Sequence, residues 1–406
     1  MASLKRPLEG LTVLDLTQML SGPYATQILG DLGANVIKVE PPKGDHTRSL
    51  PPYFHKGESA YFLSINRNKR SIVIDLKKEQ GKEILLELVK KSDVVIENFR
   101  PGVLDKLGLG FDILRTANPR IIKCSISGYG QNGPRRDQPA YDMVIQAISG
   151  GMSLTGEEGS RPVRAGIPIG DLCAGMYAVI ALLAELRRVA ETGVGTEIDI
   201  SMFDVQISML CYLAVYYLIS GEVPKPQGRG HISIPTYRSF TAADGLDVLI
   251  TANTEEMWQR LCNALERPDL LEDPRFTLNK DRLAHKKELL DILETEFRKK
   301  TRAEWLDILT RHEIPNAPVN TVAEALADEQ TSARNMVVQL EHTLGGIVRL
   351  IGNPVKIAGV EDVYECPPLQ GEHTRRILSE MLGYDNDKID QLVAEGVVSQ
   401  WEGTAC

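Results

Sequence analysis

The sequence predicts an α/β protein: a doubly wound, largely parallel sheet followed by a smaller α+β piece. Three observations carry that prediction. Short apolar runs rich in β-branched residues alternate with helical segments from Leu11 to Ile126. After Gly150 the pattern changes to two long apolar helices. A stretch dense in glycine and proline, VPKPQGRGHISIP (Val223 to Pro235), then separates those helices from the C-terminal part of the chain.

Taken in order, Leu11 to Leu16 (LTVLDL) reads as a strand, Gly22 to Gly33 has helical spacing, and Asn35 to Glu40 (NVIKVE) is a second strand. The unit recurs. Ser71 to Asp75 is a strand, Gln80 to Lys91 a helix and Asp93 to Asn98 a strand; Leu104 to Ala117 is mostly helical and Ile121 to Ile126 is again a strand. Asp171 to Arg188 and Ser201 to Ser220 are the two long helices, the second read as buried. Beyond the Gly/Pro stretch, YRSFTAADGLDVLIT predicts a strand pair turning at Asp244-Gly245. Helices come next at Glu255 to Ala264, Lys286 to Arg298 and Ala303 to Thr310. A β-like stretch from Gly345 to Gly352 and a final helix from His373 to Met381 complete the chain.

Composition narrows the class. The 406 residues are 43% hydrophobic and 25% charged, which leaves room for two domains and a well-buried core. The net charge is -9, and no block of Lys or Arg forms a nucleic-acid surface. The six cysteines are scattered without a C-x-x-C, as expected of thiols in a reducing compartment. The seven histidines form no H-x-x-x-H, so no metal site is predicted. MASLKRPLEGL carries no apolar signal core and no presequence pattern, and Ser201 to Ser220 contains Asp204 and Gln206 and is short for a membrane span. A cytoplasmic protein is expected, without a nucleic-acid or membrane partner.

Individual motifs are ambiguous. LSGPYATQILGDLGANVIKVE (Leu20 to Glu40) could bring a helix N-terminus to a phosphate, yet it has no G-x-G-x-x-G and no P-loop, so ordinary strand–helix punctuation explains it as well. NRNKRSIVIDLK (Asn66 to Lys77) is either a solvated edge strand or a cradle for a polyanion. ENFRPG (Glu97 to Gly102) ends a strand where ligand crevices lie in parallel sheets, or is a plain connection. The Tyr141-Asp142 pair opens a helix, a position usually explained by capping and packing. In AGIPIGDLCAGMYAVIALLAELRR (Ala165 to Arg188), Asp171 is a lone carboxylate at the mouth of an apolar helix, where it would either cap the helix or act as a reagent.

Their order is more specific than any one of them. PLEGLTVLDLT, LGANVIKVEPP, NRNKRSIVIDL, DVVIENFRPG, ISGYGQNGP, AYD, GIPIGDLCAGMYA, TGVGTEIDISM and PLQGEHT together resemble the class III CoA-transferase family (the CaiB/BaiF, formyl-CoA transferase-like group). The match runs from about Pro7 to the C-terminal region and is strongest through Met202. The nearest look is to the succinyl-CoA-dependent dicarboxylate transferases.

The resemblance implies a Rossmann-like large domain built from both ends of the chain (1–222 and 321–406), a small domain with its linker (223–320), and an interlocked homodimer. It implies Asp171, in Gly170-Asp171-Leu172-Cys173-Ala174-Gly175, as the catalytic nucleophile, which attacks an acyl-CoA thioester and passes through aspartyl anhydride and aspartyl-CoA intermediates. A helix N-terminus would favour its ionised form by about 0.3–1 kcal/mol. No permanent cofactor is expected; the coenzyme A thioester is a substrate, alongside a carboxylic acid. For coenzyme A the family positions fall on Leu20, Ser21, Pro41, Ile74, Lys77, Asn98, Phe99, Arg100 and Lys106, with Tyr141 and Asp142 beside the nucleophile; Lys77, Arg100 and Lys106 would neutralise phosphates. His46, Arg48 and Arg67 are candidates for the distal carboxylate of a diacid.

Two departures bear on substrate. Formyl-CoA transferases carry Gln at the position of Leu20 and a glycine run that closes over the aspartate; LITANTEEMW (Leu249 to Trp258) has no such run. The alternative on the same fold is a 2-methylacyl-CoA racemase, but its histidine falls at Tyr141, and a phenol with a pKa near 10 is a poor proton shuttle. A nucleotide-linked dehydrogenase lacks its glycine fingerprint, and a non-catalytic CoA-binding module would not need Asp171.

Overall fold

The computed structural model describes residues 4–403. Six parallel strands form the main sheet: β1 (Thr12–Asp15), β2 (Asn35–Glu40), β3 (Lys69–Ile74), β4 (Val94–Glu97), β5 (Ile122–Ser127) and β6 (Glu197–Ser201). The short strand Val398–Ser399 adds antiparallel to β3, with Val398 opposite Ile74, so the order is Val398–Ser399, β3, β2, β1, β4, β5, β6. From β1 the chain winds outward through β2 and β3, then returns to the other side for β4, β5 and β6. The switch point therefore lies between β1 and β4, where Val13 pairs with Val94. In such sheets the ligand crevice opens beyond the carboxyl ends of those strands.

Alternating residues feed two cores, as the period of two requires. Leu14, Ile37, Ile72 and Val95 face one layer, with Ile84 and Leu88 from helix Glu79–Val89 and Ile377, Leu378, Ile389 and Leu392 from two C-terminal helices. Val13, Val36, Val94 and Ile122 face the other layer, with Ala25 and Leu29 of α1 (Ser21–Asp31) and Ala174, Ala178 and Leu182 of α3 (Ile169–Thr192). Helix α3 is long and apolar enough to cross a membrane by length and composition, as the core helix of a soluble protein also is; its buried stripe lies in this second layer. Helix α2 (Asp142–Ile148) lies between β5 and α3 in sequence.

Two sequence expectations need correction, and one strand carried no expectation. Ser201 to Ser220 is not one buried helix. It breaks into α4 (Met202–Met209) and α5 (Cys211–Ser220), bent by 71°, with Cys211 at φ 48°. No residue of α5 is buried, and Leu218 and Ile219 are 77% and 82% exposed, because nothing among the described residues covers them. Helix Thr374–Leu382 is not the last element: Asn386–Ala394 and the antiparallel edge strand come after it. TEIDIS, singled out only as part of a motif, forms the edge strand β6.

The chain divides into two compact units. One takes residues up to Gly151, Arg164–Val215 and Gln330 onward; the other takes Met152–Val163 and Tyr216–Glu329. The second has its own three-stranded antiparallel sheet, Tyr237–Thr241, Asp247–Thr251 and Asn316–Pro318, and its own aromatic core, where Phe240 stacks on Phe297 at 4.5 Å.

Candidate active site

Two adjoining cavities open at the carboxyl ends of the strands, at the switch point. The larger, about 640 Å³, is lined by Pro41 and Lys43 after β2, Ile74 and Lys77 at the end of β3, and Phe99 and Lys106 after β4. The smaller, about 260 Å³, holds Ser21, Asn98, Arg100, Tyr141 and Asp171, together with Tyr61, Arg136 and Met202. Gln18 and Phe99 line both and so mark the junction. Lys43, Lys77, Arg100 and Lys106 make no ion pair among the described residues, which leaves their charge available to an anion.

Asp171 lies in the first turn of α3, whose N-cap is Pro168 with no side-chain cap. The glycines on either side of it explain the motif. A Cβ on Gly175 would stand 2.6 Å from the carbonyl oxygen of Ser21, so glycine lets α1 and α3 close up. Ser21 then donates to the Asp171 carboxylate from both its hydroxyl and its backbone N–H. A Cβ on Gly170 would stand 2.9 Å from Oδ1 of Asp142. In its absence that oxygen accepts from Gly170 N at 2.8 Å and from Asp171 N at 3.3 Å.

Burial, and then the charge of Asp142, push the Asp171 carboxyl up to about 7 against the two Ser21 hydrogen bonds. The expected stabilisation of the carboxylate by its helix N-terminus does not prevail: a helix end contributes about 0.3–1 kcal/mol, whereas each pKa unit corresponds to about 1.4 kcal/mol. Tyr61, on the short helix Ala60–Ile65, is pushed up to about 12 by burial and by the charges of Asp171 and Asp142, so its hydroxyl stays a donor at neutral pH.

The cavities bring together Pro41, Ile74, Lys77, Phe99 and Lys106 in one, and Ser21, Asn98, Phe99, Arg100, Tyr141 and Asp171 in the other. Leu20 and Asp142 line neither; Leu20 is 7% exposed as the residue before α1, and Asp142 is 8% exposed behind the nucleophile. Asn98 uses its amide to clamp the loop after β1, accepting from Gln18 N at 2.9 Å and donating to Gln18 O at 2.7 Å. In that loop Met19 has φ 68°, an uncommon conformation for a side chain-bearing residue, and lines the small cavity.

Two of the three distal-carboxylate candidates are corrected. Arg48 grips Glu40 through Nε and Nη2 (2.8 and 2.7 Å), reaches Glu58 at 2.7 Å and lies over the Phe62 ring. Arg67 is 3% exposed and holds both carboxylate oxygens of Asp31. Their donors are taken by the protein's own carboxylates. His46 and Arg48 both line the larger cavity, Arg48 with its guanidinium already held by Glu40 and Glu58, and Arg67 lines neither.

Lys43, Tyr61, Arg136 and Met202 were missed. Tyr61 carries no local signal: it stands in an ordinary apolar turn of helix, and only the fold brings it to Asp171. Arg136 belongs to GPRRD, a polar run after β5 that reads as a loop.

Comparison with known proteins gives one consistent family. A model of CoA-transferase family III matches residues 8–374. The succinyl-CoA:glutarate CoA-transferase of Mus musculus is 40% identical over 399 residues, covering 98% of this chain and 91% of the relative. The acetyl-CoA:oxalate CoA-transferase of Acetobacter aceti is 42% identical over 365 residues, covering 89% and 92%. Among solved structures, a CaiB/BaiF family protein from Brucella suis matches with a TM-score of 0.83 at 37% identity, over 93% of this chain and all (100%) of that one.

Proposed function

This chain belongs to CoA-transferase family III and is a CoA-transferase; from that premise we propose that it moves coenzyme A from succinyl-CoA to a second dicarboxylic acid, with Asp171 as the nucleophile. The observation that carries this reading is a half-buried carboxylate lining a small cavity that adjoins a larger one with unpaired cations on its wall. The larger cavity suits the pyrophosphate and pantetheine of coenzyme A, held by Lys43, Lys77 and Lys106; the smaller suits the acyl group.

Each step balances without metal, ATP or redox partner. The ionised carboxylate of Asp171 attacks the thioester carbonyl, the C–S bond breaks, and CoA thiolate leaves a mixed anhydride. The thiolate then attacks the Asp171 carbonyl, releasing succinate and forming an aspartyl-CoA thioester. The acceptor carboxylate displaces the thiolate to give a second anhydride. Thiolate attack on the acceptor carbonyl releases the new acyl-CoA and regenerates Asp171. The Ser21 N–H, which donates to Asp171 at rest, and the Tyr61 hydroxyl, in the same cavity, would serve a developing oxyanion.

With Arg48 and Arg67 engaged elsewhere, the distal carboxylate of the acid falls to Arg136, which lines the Asp171 cavity and, among the described residues, has only its sequence neighbour Asp137 as an ion-pair partner, at 3.4 Å. The relatives' names support two acceptors, glutarate and oxalate; the absence of the glycine run favours the longer acid. Exposed apolar side chains on α5, with Met176, Tyr177 and Ile180 of α3, suit coverage by a second copy in an interlocked homodimer. A cytoplasmic location fits both substrates.

The test is a panel of acyl-CoA donors against mono- and dicarboxylic acceptors, read by mass spectrometry. Succinyl-CoA with glutarate is expected to lead, and Arg136→Ala to raise KM for diacids about tenfold or more while leaving monoacids little changed, as loss of one charge-assisted pair requires. A wild-type enzyme that exchanged α-deuterium into 2-methylacyl-CoA without any acceptor would sink the reading in favour of a racemase.

A further inference from the structure

Asp142 is a buried carboxylate that the reaction above does not use. Its Oδ1 accepts from the N–H of Gly170 and of Asp171 at 2.8 and 3.3 Å; its Oδ2 accepts from Gln146 Nε2 at 2.7 Å. Gln146 is itself 2% exposed and accepts from Ala165 N at 2.9 Å, on the segment leading into α3. The clamp therefore joins α2, the approach to α3 and the first turn of α3. The N–H groups of that turn are the ones a first-turn aspartate would ordinarily enjoy.

We propose that Asp142 is a positioning residue: by taking both N–H groups at the start of α3, it turns the Asp171 carboxylate away from its own helix and toward Ser21 and the substrate. The proposal rests on Asp171 being the nucleophile. The geometry has a second consequence. Two carboxylates now share one helix end, and only Asp142 holds its N–H groups. Asp171 is left more basic, hence a better nucleophile once ionised. When Asp171 becomes an anhydride or a thioester its charge disappears, and so does its repulsion with Asp142. The clamp thus burdens the free enzyme more than the acylated intermediates, which favours acylation.

The other polar and titratable groups around the clamp are Ser21 from α1, Tyr61 from the helix Ala60–Ile65, Tyr141 before α2 and Arg100 and Arg136 from the loops, all lining the Asp171 cavity, with Cys173 of α3 near Asp142. None of them takes those two N–H groups. Tyr61 and Cys173 are both shifted further from neutrality, so neither titrates with Asp171.

The experiment compares the pH profile of kcat/KM for succinyl-CoA in the wild type, Asp142→Asn, Asp142→Ser and Ser21→Ala. Both replacements of Asp142 are neutral helix caps. The wild-type acid limb is expected near pH 7. Neutral variants at 142 should move it down by about one unit or more and lower the high-pH plateau, while Ser21→Ala should move it up. A limb that stays in place in a folded neutral variant would overturn the proposal. So would failure of both neutral variants to fold, since the carboxylate would then serve folding. Activity surviving in Asp171→Asn would instead remove the nucleophile reading on which it rests.

Discussion

Two aspartates near the same crevice have opposite surroundings. Asp15, at the end of β1, is 0% exposed and faces Lys69 Nζ at 3.0 Å, with hydroxyls of Thr17 and Thr26 on its remaining lone pairs. Burial alone would raise its carboxyl, but Lys69, Lys38 and the two threonines outweigh it and hold the group down at about 2. The network extends outward: Lys38 pairs with Asp45 at 2.8 Å and donates to the carbonyl oxygen of Thr17. Asp171 makes no ion pair among the described residues; burial, another carboxylate and Ser21 set its proton affinity, and it sits at about 7. A compensated carboxylate anchors a loop, whereas an uncompensated one retains the basicity that a nucleophile needs.

The largest expected effect separates these roles. Asp171→Asn should reduce transfer by on the order of 10³-fold or more, with no fall in Tm, because a poorly solvated carboxylate is replaced by a neutral isostere. Near-normal turnover, checked by trapping with hydroxylamine, would break the contrast. Asp15→Asn should do the reverse in kind. Leaving Lys69 buried without its partner is expected to lower unfolding free energy by about 3–5 kcal/mol in urea titrations. Activity should then fall mainly through the loosened loop that carries Gln18 and Ser21. A loss below about 1 kcal/mol would show that the network relaxes.

The smallest effect is the sign of the pH dependence of stability. Asp15 has its pKa lowered on folding, so its contribution is present above about 4 and lost as pH falls toward about 2. Asp171 has its pKa raised, so the folded state holds the proton more tightly than the unfolded one. Stability relative to Asp171→Asn should decline as pH rises from about 4 to about 7, then level off. Parallel curves for wild type and variant across that window would place Asp171 in an ordinary, solvated setting.

Much of the architecture was legible in the chain alone. The period-two runs place Val13 and Leu14 on opposite faces and so fix two helical layers. The strand ends at Pro41, Ile74 and Phe99 mark the crevice, because parallel strands deliver their loops to one edge. Less legible was the state of each charge. Arg48 and Arg67 read as candidates for a substrate carboxylate and Asp142 as a neighbour of the nucleophile, yet each is committed to a partner from another element.

Strand and helix periodicity, and the glycines around Asp171, are local properties of the chain. They were enough to set the first five strands, the helices α1 and α3 and the residue at the head of α3. Which charges remain free to act depends instead on contacts between distant segments. Asp31 meets Arg67, Asp15 meets Lys69 and Asp142 meets Gly170 across gaps of 36, 54 and 28 residues. A hydrophobic pattern reports which face is buried, but not which polar atom stands opposite. In a low-dielectric interior, that opposite atom decides whether a buried carboxylate is held as an anchor or kept as a reagent.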